Sequence, residues 1–416
     1  MLKLLALILA ALTGVMTSQG AERTIDAHAY SNQTPYGNVA TSSVKAPPAG
    51  YELFFLETVG RHGSRTLTTP NTEARALEVW SAAAAEDAVT PLGKEFAKDV
   101  KAFQQVGKRI GYGNLSAVGT AEWAGIGRRT AAVYDDFLQQ SAADGDHIAV
   151  RTTSVFRTKQ SAAAMRGSLS AAIGGLRFDP PVVDDEMVIA NKPSVRGQAA
   201  IDQILASADV RTAARHVLER LYDPRYVESL RDPVDEALVV YLLYCTAAGL
   251  EADTEVTFAD YVPLDDARVL GYARDALNFY TFGPGVAGES GTYEDAEPLL
   301  DDFFAELDER IDGGSSAAVF RYAHGETTMP FAALIKAPGS QTQVPAGEVY
   351  TYADNPWRGY VAGRLAGNIE WAAYRDKAGK VLVTMRQNEL PVPFHEGCEP
   401  SVPYFYTPAE LERCLT

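Results

Sequence analysis

Arg61-His62-Gly63-Ser64-Arg65 sets one histidine between two arginines shortly after Leu53 to Leu56, an apolar run that reads as a buried strand. An imidazole nitrogen attacks phosphorus only when the dianionic phosphate is held still and partly neutralised. Guanidiniums on either side of the histidine supply fork-shaped donors for that purpose. Gly63 lets the backbone turn tightly and approach a ligand. The end of a strand is also where open α/β sheets bind their ligands. A histidine-glycine pair in a loop is ordinarily only a turn, so the chemistry requires a second, distant element.

Two further strand ends supply it. His147 to Thr152 reads as a strand followed by an alanine-rich helix over Ser154 to Leu169, and Arg157 falls at the junction, where free backbone N–H groups favour an anion. Ala317 to Tyr322 reads as a third strand and delivers His324-Gly325-Glu326 at its end. A phosphomonoester transfer needs a nucleophile, fixed positive donors and an acid to protonate the departing alkoxide. His62, then Arg61, Arg65, Arg157 and His324, then Glu326 fill those roles. No metal or other cofactor is required, and no Cys/His spacing resembles a zinc site.

The rest of the chain must position these groups. With 416 residues, 46% of them hydrophobic, it can bury a large core and divides more naturally into two lobes than one. Lys3, an apolar run from Leu4 to Val15, and Ser18 and Gly20 ahead of Ala21 read as a secretory signal peptide over residues 1–20, too short to span a bilayer. The expected location is therefore secreted, or in the cell envelope or periplasm. The net charge of −17 excludes nucleic acid as a partner and requires any phosphate site to be a local basic pocket.

Residues 21–50, rich in Ser, Thr, Asn, Pro and Gly, read as an extended arm lying over the surface. Residues 51–181 and 293–416 form an α/β core, interrupted over 182–292 by a helical insertion that begins after Pro180-Pro181. The insertion reads as helices over Ala199 to Leu221, Asp235 to Leu250 and Asp265 to Tyr280. The core then resumes with a helix over Tyr293 to Ile311 and ends on a strand over Val381 to Met385. Trp123, Ile126, Thr130, Val133 and Phe137 recur at helical spacing and read as core. Cys398 and Cys414 either close a short C-terminal loop or remain free, and Cys245 reads as a buried thiol.

The residues also carry a family resemblance. Arg61-His62-Gly63-Ser64-Arg65 resembles the N-terminal motif of the histidine acid phosphatases. His324-Gly325-Glu326-Thr327 is similar to the His-Ala-Glu-Thr motif of their multiple inositol-polyphosphate phosphatase subgroup; other members usually have His-Asp there. Leu115 to Gly119 with Glu122, Arg157 with Ser161-Ala162, Phe258 to Gly285, and Asn388-Glu389 with Cys398 extend the likeness from about residue 51 to the end.

The resemblance implies a three-layer α/β/α core with an all-helical cap, and a phosphohistidine formed on His62. Arg61, Arg65, Arg157 and His324 would hold the phosphate, and Glu326 would give the proton. The implied substrates are phytate and lower inositol phosphates. Two positions depart from the family pattern: Leu67 replaces a proline, and Gly325 replaces the alanine, which adds backbone freedom at the acid.

A broad-specificity acid phosphatase would use the same residues. A non-catalytic phosphate-binding protein would need neither Glu326 nor His62. Lys159, Lys192 and Arg196 read as solvated charges before outer phosphate contacts. His28, His147, His216 and His395 have no partners at a suggestive spacing.

Overall fold

The computed structural model describes residues 26–37 and 43–416. The stretch read as a signal peptide lies outside them. Among the described residues no helix is long and apolar enough to cross a membrane.

The strands are β1 Tyr51–Arg61, β2 His147–Thr152, β3 Arg177–Phe178, β4 Val182–Val183, β5 Ser316–Ala323, β6 Asn368–Asp376, β7 Val381–Gln387 and β8 Leu390–Val392. They form one mixed sheet in the order β3-β2-β5-β1-β6-β7-β8, with β4 also paired to β2. At its centre β2, β5 and β1 are parallel neighbours. The remaining side, β6, β7 and β8, is antiparallel.

The α-helices are α1 Asn71–Ala85, α2 Pro91–Ile110, α3 Ala117–Val133, α4 Asp135–Asp144, α5 Phe156–Ala172, α6 Val195–Leu205, α7 Ala208–Leu221, α8 Pro224–Ser229, α9 Pro233–Ala248, α10 Leu264–Phe282, α11 Glu297–Ile311, α12 Gly325–Leu334, α13 Gly359–Ala362 and α14 Pro408–Leu415.

Both faces of the sheet are covered, as parallel strands require. Leu56, Val150 and Phe320 pack with Trp123 of α3 and Met165 of α5 on one face. Phe55, Val59 and Val319 pack with Phe303 and Leu307 of α11 and Phe331 of α12 on the other. The strand period of two divides the apolar residues of β1 between these layers. Every residue of β5 is buried.

A separate apolar cluster joins Val217 and Leu221 of α7 and Val240 and Leu243 of α9 to Val79 of α1 and Phe96 and Val100 of α2. The helical unit thus draws on residues well before 182 as well as on α6 to α10.

Three local readings need correction. The Trp123-to-Phe137 stripe is not one helix: α3 ends before Tyr134, whose hydroxyl reaches Glu370 of β6 at 2.5 Å. The helical reading from Ala199 to Leu221 is split by Ser207, which caps α7 through its hydroxyl on Val210 N–H.

Only part of the described arm lies over the surface: residues 43–46, 49 and 50 are exposed, but 29–36 are not. Ser31, Asn32, Thr34 and Tyr36 are buried. Their polar composition suggested solvent, but the polar groups find partners inside. Ser31 Oγ donates to Asp275, Tyr36 N–H donates to Glu122 at 2.8 Å, and the Asn32 carbonyl accepts from Arg61. A buried polar segment is tolerated when its groups are bonded in this way.

Cys398 and Cys414 are joined in a disulfide, while Cys245 is free and buried, with burial pushing its thiol up to about 12.

Candidate active site

Because β1, β5 and β2 are adjacent and parallel, their carboxyl ends bring His62, His324 and Arg157 to one place. Residues far apart in sequence therefore meet. The His62 and His324 rings lie 5.6 Å apart, inclined at 67°. Arg157, in the first turn of α5, donates from Nη2 to His324 Nδ1 at 3.2 Å.

The loop after β1 is fixed by its neighbours. Glu122 of α3 accepts from Ser64 N–H at 2.7 Å and from Ser64 Oγ at 2.8 Å, and Gly63 N–H donates to Ser161 Oγ at 3.2 Å. Glycines permit the close packing: a methyl group on Gly63 would stand 2.5 Å from the Gly119 carbonyl oxygen. One on Gly119 would be still closer to Ser64 O. The sequence signal for this support was Glu122, three residues beyond the Leu115-to-Gly119 motif, but its anchoring role was not legible.

The hydrogen bonds determine the histidine tautomers. His62 Nδ1 lies 2.9 Å from the Gly63 carbonyl, which only accepts, so Nδ1 carries the proton and Nε2 keeps its lone pair. His324 Nδ1 accepts from Arg157, so Nε2 carries the proton and donates to Thr153 Oγ1 at 3.0 Å. Burial first, then the charges of Arg65, Arg61 and Arg157, holds His62 well below its ordinary range. Burial likewise holds His324 low, against the pull of Glu326, at about 4. Both rings are thus neutral at neutral pH.

The arginines gather in one another's field, with the Glu326 carboxylate offsetting part of their charge. Arg61 Nη1 donates to the carbonyls of Asn32 and Gly363, and Arg65 Nη1 to the Thr66 carbonyl at 2.8 Å. The Nε atoms of Arg61, Arg65 and Arg157 are all buried without a hydrogen-bond partner. Burial leads the lowering of Arg61 to about 10 and of Arg65 to about 9, with Arg157 and Arg274 adding repulsion. Both remain cationic at neutral pH. Such a cluster suits an anion bound by several donors.

Glu326 is the second residue of α12, whose first residue, Gly325, follows the end of β5. Burial pushes its carboxyl up, but His324, its own backbone N–H, Arg61 and Arg157 outweigh burial and leave it lowered. Gly325 does more than loosen the backbone: a methyl group there would press on the Arg61 guanidinium at 3.1 to 3.2 Å.

All six residues singled out from the sequence belong to this cluster or its immediate electrostatic surroundings. Lys159, Lys192 and Arg196 are exposed. His147 pairs with Asp179 at 2.6 Å and His216 with Asp266 at 3.2 Å. Sequence reasoning missed Thr153, whose position one residue beyond β2 was the available signal. It also missed Asn32, Gly363 and Arg274, for which sequence carried none.

Residues 52–235 match the family model for the histidine phosphatase superfamily (branch 2). A comparison with curated proteins finds no match. Among solved structures, the chain is similar to the Bifidobacterium longum multiple inositol polyphosphate phosphatase in complex with inositol hexasulfate. The TM-score is 0.87 and the identity 28%, over 94% of this chain and 97% of that one. The phytase from D. castellii shares the fold at a TM-score of 0.67 and 13% identity, over 93% and 84% of the two chains. The Hafnia alvei phytase in complex with myo-inositol hexakis sulphate shares it at 0.56 and 12%, over 89% and 97%.

Proposed function

From the premise that this chain belongs to branch 2 of the histidine phosphatase superfamily and is a phosphoric monoester hydrolase of inositol phosphates, we propose that it cleaves phytate and lower inositol phosphates through a phosphohistidine on His62. The observation that carries this reading is the His62 tautomer: Nδ1 is committed to the Gly63 carbonyl, leaving a buried, uncharged Nε2 among three arginines.

In the first step Nε2 forms a bond to phosphorus while the ester P–O bond breaks. Arg61, Arg65 and Arg157 take up the charge on the equatorial oxygens. The departing alkoxide receives its proton from the Glu326 carboxyl, which becomes a carboxylate. In the second step that carboxylate takes a proton from water, the water oxygen bonds to phosphorus, and the N–P bond breaks to release phosphate and His62.

A bound phosphate dianion offsets the arginine charges that hold Glu326 low. Burial then dominates, and the carboxyl can keep its proton in the complex. The same dianion favours the imidazolium form of His324, which then donates to a phosphate oxygen. In its neutral form His324 serves by orienting Arg157.

The signal-peptide reading of residues 1–20, and the Cys398–Cys414 disulfide in a chain of few cysteines, support export to the envelope or beyond.

The test is acid-free trapping of the enzyme during phytate turnover, with no metal added. A phosphoryl group on His62 is expected in the wild type and none in His62→Ala, which should also lose turnover. Full turnover by His62→Ala would overturn the scheme.

A further inference from the structure

Arg274, on α10, is a fourth arginine whose Nε is buried without a hydrogen-bond partner, alongside Arg61, Arg65 and Arg157. Arg364 Nε shares that state, but Arg364 Nη2 is held by the carbonyls of Pro35 and Tyr36. Among the described residues nothing hydrogen-bonds to or pairs with the Arg274 guanidinium. We propose that Arg274 binds a second phosphate of the substrate, beside the phosphate that His62 attacks, and so selects polyphosphorylated ligands over monophosphates.

The location supports this. Arg274 lines a cavity of 220 Å³ with Gln33, Thr72, Tyr241, Leu242 and Asp235. Gln33 follows Asn32, whose carbonyl holds Arg61, and Thr72 lies in the first turn of α1, just beyond the Arg65 loop. At roughly 30 Å³ per liquid water, the space takes a phosphate group with attendant water. Asp235 is exposed on the outer wall, where water and salt screen it. Cys245, buried on α9 nearby, is a neutral thiol and offers no counter-charge.

Position is held as well. The next residue, Asp275, is buried and accepts from Ser31 Oγ, from Tyr352 OH at 2.7 Å and from Gly359 N–H at 3.0 Å. This locks α10 against the arm whose next residue holds Arg61. The Arg274 charge is felt at both Arg61 and Arg65, which lowers their affinity for protons. Three arginines with His324 already suffice for one dianion; a further unpaired guanidinium within their field suits an added negative group.

The inference rests on the inositol-polyphosphate reading above, and the experiment separates the two. Arg274→Gln and Arg274→Lys are compared with wild type in kcat/KM for phytate and for p-nitrophenyl phosphate, and in the Ki of inositol hexasulfate against the aryl substrate. Arg274→Gln should raise that Ki about ten- to a hundredfold and lower the phytate-to-aryl selectivity ratio similarly, as loss of a charged hydrogen bond does. Arg274→Lys should recover part of both.

Equal losses on the two substrates, or an unchanged Ki and ratio, would overturn the proposal. If Arg274→Gln does not fold, the lysine variant carries the same comparison, with loss of the bidentate fork as its readout. A wild type that cleaves the aryl phosphate but not phytate would overturn the substrate reading, while the hexasulfate Ki would still report on Arg274.

Discussion

Arg157 Nη2 and His324 Nδ1 lie 3.2 Å apart, joining the first turn of a helix to the end of a strand 167 residues later. The bond makes neutral His324 an acceptor, so it orients the guanidinium and does not repel it. His324→Ala removes that acceptor and also the Thr153 contact. A loss of about 10²- to 10³-fold in kcat is expected, of the size seen when a charge-stabilising donor is misplaced. Steady-state kinetics on an aryl phosphate measures it; a change below threefold would show that Arg157 needs no such support.

Activity should peak on the acid side of neutral. Burial and the neighbouring cations lower the His62 pKa, so its free base persists into acid. In the free enzyme Glu326 is lowered too, so its proton is lost as pH rises through the acid range and kcat/KM falls with it. Glu326→Gln should remove that alkaline limb. A rate that instead climbed with pH through the ordinary histidine value of about 6.5 would reverse the assignment.

Leaving groups provide a separate check on Glu326. An inositol alkoxide needs a proton to depart, whereas a nitrophenolate does not. Glu326→Gln should slow phytate hydrolysis by about 10²- to 10⁴-fold and the aryl ester much less. Parallel losses on both would remove Glu326 from the role of acid.

Gly63→Ala tests the support of the loop that carries His62. The added methyl would meet the Gly119 carbonyl oxygen at 2.5 Å, a backbone atom that cannot rotate away. Overpacking of this kind costs about 1 to 3 kcal/mol, and the displaced loop should lower activity further. Thermal melting together with kcat reads both effects; wild-type values in each would mean the loop shifts freely.

The disulfide should contribute to stability without touching the chemistry. Cys398 and Cys414 are 16 residues apart, and closing a loop of about that length is worth about 3 kcal/mol. The Cys398→Ser, Cys414→Ser double variant should melt lower than the oxidised wild type yet keep its kcat. An unchanged melting temperature would count against the bond as a stabilising tie.

Much of the site was legible because its groups sit where short patterns change. His62 and His324 each follow an apolar run that ends in a turn or a helix start, and Arg157 sits at a strand-to-helix junction. Such signals are local. The strands β2 and β5 were legible for the same reason, since buried parallel strands are continuous apolar runs. The buried stretch of the arm was misread because Ser31 and Asn32 are polar, and only their distant partners Asp275 and Arg61 make burial tolerable.

By itself, therefore, the sequence determined the candidate reacting groups, the strand ends that carry them and the family they resemble, since these depend on residue type and short-range pattern. Tertiary structure alone decided the order of β2, β5 and β1, the tautomers of His62 and His324, and the joining of Asn32, Gly363 and Arg274 to the arginine cluster. Apart from the His62 proton, which the adjacent Gly63 carbonyl holds, each of these is fixed by a partner tens to hundreds of residues away. A proton's position on imidazole, or the charge left unpaired on a guanidinium, is set by what stands within a few ångströms in space and leaves no trace in the neighbouring sequence.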